Sequence, residues 1–378
     1  MNFYQKPKFH ITKIALLSIV GLILSVGASA IATVWSPFIK SFISNDALVG
    51  VTAAILTAIS FLSSFFVIPI LEKANKAKVY YYSLVGVIIS YILFSLVKNF
   101  FFFLAIAVAR TIIGVFQFGS FGVMIRDESK LKDIGKSEGL RYTLLNIGYL
   151  IGPLIAGFVA ARFGIRFLFV ISASITLVAF LLFSRIKIKK VKTIPTSDYN
   201  IFKNLKSFFS SPPRTKAYLM KFGIAIWWSI LFIFLPLLII RKGLGMEWIG
   251  IAIFGITLPL LFLEYPLSRL ADSKGYKKFF FIGFLILAFA SLAVFFSSSI
   301  YLILITFVLS SIGAAFVEPL AEAYFFKVVP QTQESKYYAP FLTSLDLGKT
   351  VGTGIASAVI VLFSFNHIFP VSYTHLTL

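Results

Sequence analysis

YTLLNIGYLIGPLIAGFVAA at 142–161 and LTSLDLGKTVGTGIASAVIV at 342–361 are two versions of one pattern, set 200 residues apart. Asn146 stands against Asp346, Gly148 against Gly348, Gly152 against Gly352, and Ile155-Ala156 against Ile355-Ala356. Each stretch is predominantly apolar and long enough for a helix to cross the ~30 Å hydrocarbon core of a bilayer. The same offset relates Val49-Gly50 to Ile249-Gly250, and Glu72-Lys73-Ala74-Asn75-Lys76 to Asp272-Ser273-Lys274-Gly275-Tyr276. Apolar helices resemble one another by chance, so any one match is weak; one register shared from the second helix to the fifth is not. The chain reads as two parallel repeats of membrane-spanning helices.

Composition agrees. Of 378 residues 59% are hydrophobic, 44 are Phe and only 13% are charged. A soluble chain of this length needs far more polar surface. In a soluble protein the net charge of +21 would point to nucleic acid. Here the basic residues fill short gaps between apolar runs, so the partner is the lipid bilayer and no nucleic acid is expected. There is no cysteine, which excludes disulfides and thiolate metal sites. His10, His367 and His375 are scattered without ligand spacing, so neither a metal nor a cofactor is expected.

Eleven apolar spans are predicted, near 14–35, 48–70, 79–97, 99–125, 142–161, 165–184, 219–240, 248–268, 279–296, 301–326 and 340–364. Gly and Pro inside them argue less against helix than they would in water. The first span has some features of a signal peptide, with Lys6, Lys8 and Lys13 ahead of it and Ala28-Ser29-Ala30 within it. It is long for one, and ten more spans follow, so it reads as an uncleaved helix. The gaps on one side of the membrane hold 27 of the 35 Lys and Arg residues, and those on the other side hold six. That bias places the N-terminus in the cytoplasm of a cell whose inner membrane the chain crosses repeatedly.

The longest polar gap divides six helices from five. The expected organisation is an N-terminal half at 1–186, a basic cytoplasmic linker at 187–216, a C-terminal half at 217–364 and a tail at 365–378. In the linker Ile201, Phe202, Leu205, Phe208 and Phe209 share one helical face and Lys203 and Lys206 the other, which reads as a short amphipathic helix lying on the inner leaflet.

Three motifs carry a family resemblance. Ser268-Arg269-Leu270-Ala271-Asp272-Ser273-Lys274-Gly275-Tyr276-Lys277-Lys278 resembles the cytoplasmic loop motif G-x-L-A-D-x-x-G-R-K of the major facilitator superfamily, with Ser268 for the first Gly. The first-half copy is degraded, with Ile68, Glu72 and Asn75 at the Gly, Asp and Gly positions, followed by Lys76. A carboxylate at a helix end beside basic residues such as Lys73 or Lys274 suits a clamp between helix termini. Arg110-x3-Gly114 in the fourth span, with Gly119 beyond, resembles the family's R-x-x-x-G pattern. Gly139-x8-Gly148-x3-Gly152-Pro153-x2-Ala156-Gly157 in the fifth is similar to the motif of its antiporter branches, departing at Ala156. Small residues let helices approach closely and Pro153 bends the helix, so Gly148, Gly152, Pro153 and Gly157, with Gly348 and Gly352 in the second half, are expected to form a seam that seals the halves and hinges. The resemblance implies twelve helices, alternating access and a small-molecule substrate. The twelfth span is missing, so the chain reads as truncated before it, and a monomer is expected.

Ionisable and polar side chains inside the spans are the candidate substrate and proton pathway. Arg110 lies about ten residues into its span, ~15 Å deep, where a cation is costly without a cavity or a partner. Gln117 and Asn146 add polar positions. The acidic residues cluster in the second half: Glu264, Glu318, Glu322 and Asp346, the last expected to pair with Lys349 three residues on. Low dielectric favours a neutral carboxylate, which suits a proton carrier, and Glu318 is the deepest candidate. No acidic residue lies in the first span, where many drug/proton antiporters place one. The lack of a catalytic constellation disfavours an enzyme, and the lack of a phosphate-binding lysine motif excludes an ATP-driven pump. A channel would not need two repeated halves. The fifth-span motif favours proton-coupled efflux; proton- or cation-coupled uptake of a sugar, amino acid or other small solute is the second reading.

Overall fold

The computed structural model describes residues 13–128, 134–186, 188, 201–330 and 333–362. These residues form twelve α-helices and no strand: α1 (Lys13–Lys40), α2 (Asp46–Lys73), α3 (Lys76–Leu96), α4 (Phe100–Glu128), α5 (Ile134–Phe163), α6 (Ile165–Ser184), α7 (Ile201–Phe209), α8 (Pro212–Arg241), α9 (Met246–Lys274), α10 (Tyr276–Phe296), α11 (Ile300–Val328) and α12 (Glu334–Leu362). All but α7 are long and apolar enough to cross a membrane, so the chain is a multi-pass membrane protein with the eleven spans that hydropathy predicts. The helices outrun those spans at several ends. Helix α1 continues through Pro37 to Lys40, and α5 starts eight residues before the apolar run, because intrahelical hydrogen bonding extends past the hydrocarbon boundary.

Short polar turns separate the long helices. The Asn45 side chain accepts hydrogen bonds from the amides of Ala47 and Leu48 and so starts α2. Asn75 does the same for α3 through the Lys78 amide, at φ −74°. Its counterpart Gly275 starts α10 at φ +89°, a conformation that disfavours any side chain. The two copies of the loop motif therefore turn differently, which accounts for Asn in one and Gly in the other.

Helix α1 packs on α5 and α6, α3 on α4 and α6, and α2 on α4; in the second half α8 packs on α12 and α11, and α11 on α9 and α10. The halves meet chiefly along α2–α12 and α5–α9, with α1 against α8 between them. Helix α7 forms where the amphipathic period falls, and Phe208 of its apolar face is turned to protein. Phe208 is fully buried among Tyr218, Phe325 and Tyr337 of α8, α11 and α12. Ser207 shares a 2.8 Å hydrogen bond with Tyr337, and Arg214 stacks 4.2 Å above the Tyr337 ring. Of the residues predicted to rest on the leaflet, Phe208 instead enters this aromatic pocket, Leu205 is half-buried and Phe209 stays exposed; the side chains of Ile201 and Phe202 lie outside the described residues. The tail at 365–378 lies outside the described residues.

Candidate functional site

The small residues of α5 divide into two sets with different duties. A Cβ built on Gly148 would collide with Ser25 and lie 2.9 Å from the Leu22 carbonyl; one on Gly152 would lie 2.6 Å from the Val26 carbonyl. Both face α1, and Ser29 donates a 3.0 Å hydrogen bond to the Gly148 carbonyl. In the second half Gly348 presses on the Phe222 carbonyl and Gly352 on Ile226 and Ser229, all on α8. Gly148, Gly152, Gly348 and Gly352 thus bind helices within each half, correcting the expected seal between halves. That seal falls to the next turn. A Cβ on Gly157 would lie 2.9 Å from the Gly250 Cα of α9, and one on Gly250 would strike the Pro153 carbonyl. The other seam sets Gly50 of α2 against Ser357 of α12 and Phe234 of α8. A shift of 200 residues turns the pair Gly50–Ser357 into Gly250–Gly157, so the sequence repeat is also a contact repeat.

At the same end of the molecule Asp46, the first residue of α2, lies 2.6 Å from Lys40 and 3.8 Å from Arg241 of α8. Deeper along the α2–α12 seam Thr350 donates to Thr57 at 3.1 Å, and Ser60 donates to the Asp346 carboxylate at 3.4 Å. Among the described residues these two hydrogen bonds join α2 to α12. Asp346 and Lys349 do not form the expected ion pair; Lys349 acts on Asp346 only at longer range, and the hydrogen bond to the carboxylate comes from Ser60 of the other half.

The carboxylates of α11 have separate partners on α8. Glu322 lies 3.2 Å from the Nζ of Lys221 and accepts a 2.7 Å hydrogen bond from Tyr338 of α12. Lys221 is buried, with 7% of its side chain exposed. Glu318, one turn away, accepts a 2.8 Å hydrogen bond from the Trp228 indole. Glu264 of α9 is within electrostatic range of both Glu318 and Lys221, and Arg141 of α5 acts on Glu322 from the other half. Three carboxylates and one lysine are gathered in the second half, two of the carboxylates held by α8.

Arg110 continues the buried stripe of Phe103 and Ala107 one turn further along α4. Its Nη1 fills the space that Gly114 leaves, since a Cβ there would lie 2.7 Å away. Its Nη2 is 3.4 Å from the Tyr91 hydroxyl of α3, and the guanidinium carbon lies 5.4 Å from that ring's centre. Tyr149 of α5, 45% exposed, is within electrostatic range of Arg110 and Tyr91. Nε is buried with no hydrogen-bond partner, and among the described residues no carboxylate pairs with the guanidinium. Gln117 is half-buried two turns further along α4, and Asn146 is exposed on α5; neither side chain joins these clusters.

In the second-half loop Asp272 accepts a hydrogen bond from Tyr276, whose ring also takes the Lys327 ammonium at 4.9 Å. Asp272 and Lys274 are otherwise exposed, so this carboxylate is satisfied locally, from the first turn of α10. The side chains of Glu72 and Lys73 lie outside the described residues.

Sequence reasoning missed Lys221, Trp228, Tyr338, Tyr91 and Tyr149. Lys221 sits at the edge of the predicted span, where it reads as one more cytoplasmic lysine. Helix α8 begins at Pro212, which puts Lys221 nine residues, roughly 13 Å, inside it. A search for basic residues opposite the buried carboxylates, rather than a count of them by side, would have found it.

The profile of the Major Facilitator Superfamily matches residues 17–263 and 249–372, nearly the whole chain. The chain belongs to this superfamily. Solved structures agree with the fold. A nucleoside transporter, NupG, in a D323A mutant form superposes with a TM-score of 0.80 at 12% identity over 97% of each chain. A bacterial homolog of the human lysosomal transporter Spinster, inward-facing and unoccupied, gives 0.78 at 16% identity over 93% of this chain and 82% of that one. A POT family transporter in complex with a thioalcohol-conjugated peptide gives 0.76 at 14% identity over 96% of this chain and 93% of that one. No curated protein matches the sequence significantly. This member of the superfamily has the fold of a secondary transporter rather than of an enzyme.

Proposed function

We propose that this superfamily member is a proton-coupled efflux transporter of the inner membrane, with its N-terminus and linker in the cytoplasm. The observation that carries proton coupling is the gathering of Glu264, Glu318 and Glu322 with only two cations, Lys221 and Arg141, in range. Three carboxylates gathered with two cations leave one negative charge without a counter-charge in the cluster, which a proton can neutralise, and conformational change that alters their surroundings releases it. Glu318 is the residue we assign to proton loading, since its partner is a neutral indole and not an ammonium. Charge bias across the membrane supports the orientation, and the spacing of Gly148, Gly152, Pro153 and Gly157 supports the antiporter direction. In that orientation the ends sealed by Gly50, Gly250 and Asp46 face outward, so the chain is closed on the outer side, in keeping with the inward-facing Spinster homolog.

Proteoliposomes carrying a pH dye in the lumen test coupling and direction together. With an antiporter, a substrate added outside enters as protons leave, and the lumen turns alkaline; with a symporter it turns acidic. The same chain with Glu318→Gln is expected to exchange substrate at equal concentrations while losing the proton signal. Retention of that signal would reassign proton loading to Glu322 or Asp346, and an acidic lumen would establish the uptake reading. Orientation is checked by single cysteines, with no native thiol to compete. Ser299→Cys should label from outside intact cells and Ser197→Cys should not.

A further inference from the structure

Resting on the transport reading, we infer that Arg110 is the docking point for an oxyanion, so that the transported solute carries a carboxylate or phosphate group. A guanidinium in the middle of the membrane is costly unless its charge is met by an anion or by water in a cavity. The buried lysine of the second-half cluster has such a partner: Lys221 has Glu322. Arg110 has none among the described residues, and its Nε is buried without any hydrogen bond at all. Its position on the buried stripe of Phe103 and Ala107 keeps it from reaching headgroups along the lipid-facing side of α4.

The surroundings suit an anion in detail. The Tyr91 hydroxyl accepts from Arg110 Nη2, which leaves its own proton free to donate. Tyr149 brings a second phenol from α5 and remains partly open. Gly114 lets the guanidinium lie along the helix, with Nη1 close over the backbone. A planar fork with one phenol hydroxyl beside it can bind two oxygens of one carboxylate or phosphate, and Tyr149 stands within electrostatic range of the same site. Both phenols and Arg110 belong to α3, α4 and α5, whereas the surplus carboxylates belong to α9 and α11. Solute anion and coupling protons therefore bind in opposite halves, and each half carries one of the two charges that move.

The test uses the full chain in lipid nanodiscs and the arginine-selective reagent phenylglyoxal, with peptide mapping of the modified arginines. Acetate and inorganic phosphate serve as the probes, against sodium chloride at equal ionic strength. Arg110 is expected to react and to be protected severalfold by acetate, by phosphate, or by both, and whichever protects names the group. Arg162, exposed at the end of α5, should show no protection. The inference is overturned if Arg110 does not react, if neither oxyanion slows it relative to chloride, or if Arg162 is protected equally. Loss of the luminal proton signal with intact protection would sink proton coupling alone; loss of protection with intact coupling would sink only the oxyanion site.

Discussion

Lys221 and Arg110 are both cations held inside a helical half, and they are held in opposite ways. Lys221 is met by Glu322, which Tyr338 holds in turn, and acts on Glu264 at longer range. Arg110 is met by one weak hydrogen bond to a phenol. A pair closed within its own half belongs to the folded state. A charge left open in the other half is an unfilled demand, stable only because the structure around it is overdetermined, and such places are where transported solutes bind.

Unfolding measurements should separate the two cations. The largest loss of stability is expected from Glu322→Gln, which leaves Lys221 buried beside a neutral amide; breaking a buried pair costs about 3–5 kcal/mol. The double variant Lys221→Met, Glu322→Leu should recover most of it. A single variant as stable as the parent would show that Lys221 is not held by Glu322. Next comes Gly152→Val, expected to cost about 1–3 kcal/mol by forcing α5 from α1. Gly157→Val should leave the folded half intact and instead part the seam to α9, read as faster labelling of a cysteine placed at the buried Ile253, one turn from Gly250. Equal destabilisation by the two variants would erase the division between the two sets of small residues. Thr350→Val, which removes the hydrogen bond to Thr57, should cost only about 0.6 kcal/mol, a typical value for hydrogen bonds between membrane helices. The smallest effect on stability, near zero, is expected from Arg110→Ala, together with complete loss of transport. Arg110→Lys should rescue poorly, because a point charge does not replace a forked donor. A stable Arg110→Ala variant that transports normally would end the comparison.

The helices were legible because a bilayer demands long apolar runs and little else of this length supplies them. The repeat was legible because Gly148, Gly152, Gly348 and Gly352 keep small residues for one packing reason twice over, each pair pressed on a neighbouring helix of its own half. What faces what was not legible. Gly148 and Gly157 share a motif, yet one meets α1 and the other α9, since helical rotation and not spacing decides the neighbour. The amphipathic period of α7 showed that one face is covered but not whether lipid or Tyr337 covers it. Lys221 and Glu322 are 101 positions apart, and neither signals the other in the chain.

Asp46 ties the two halves at their sealed ends through charges that water reaches, with 57% of the Arg241 side chain exposed. At physiological ionic strength such attractions fade beyond about 8 Å, and at 0.01 M they reach to about 30 Å. The glycine contacts at Gly50 and Gly250 are indifferent to salt. The fastening of the sealed ends thus has one part set by shape and one by the surrounding medium, and dilute media should lengthen the time the protein spends shut on that side.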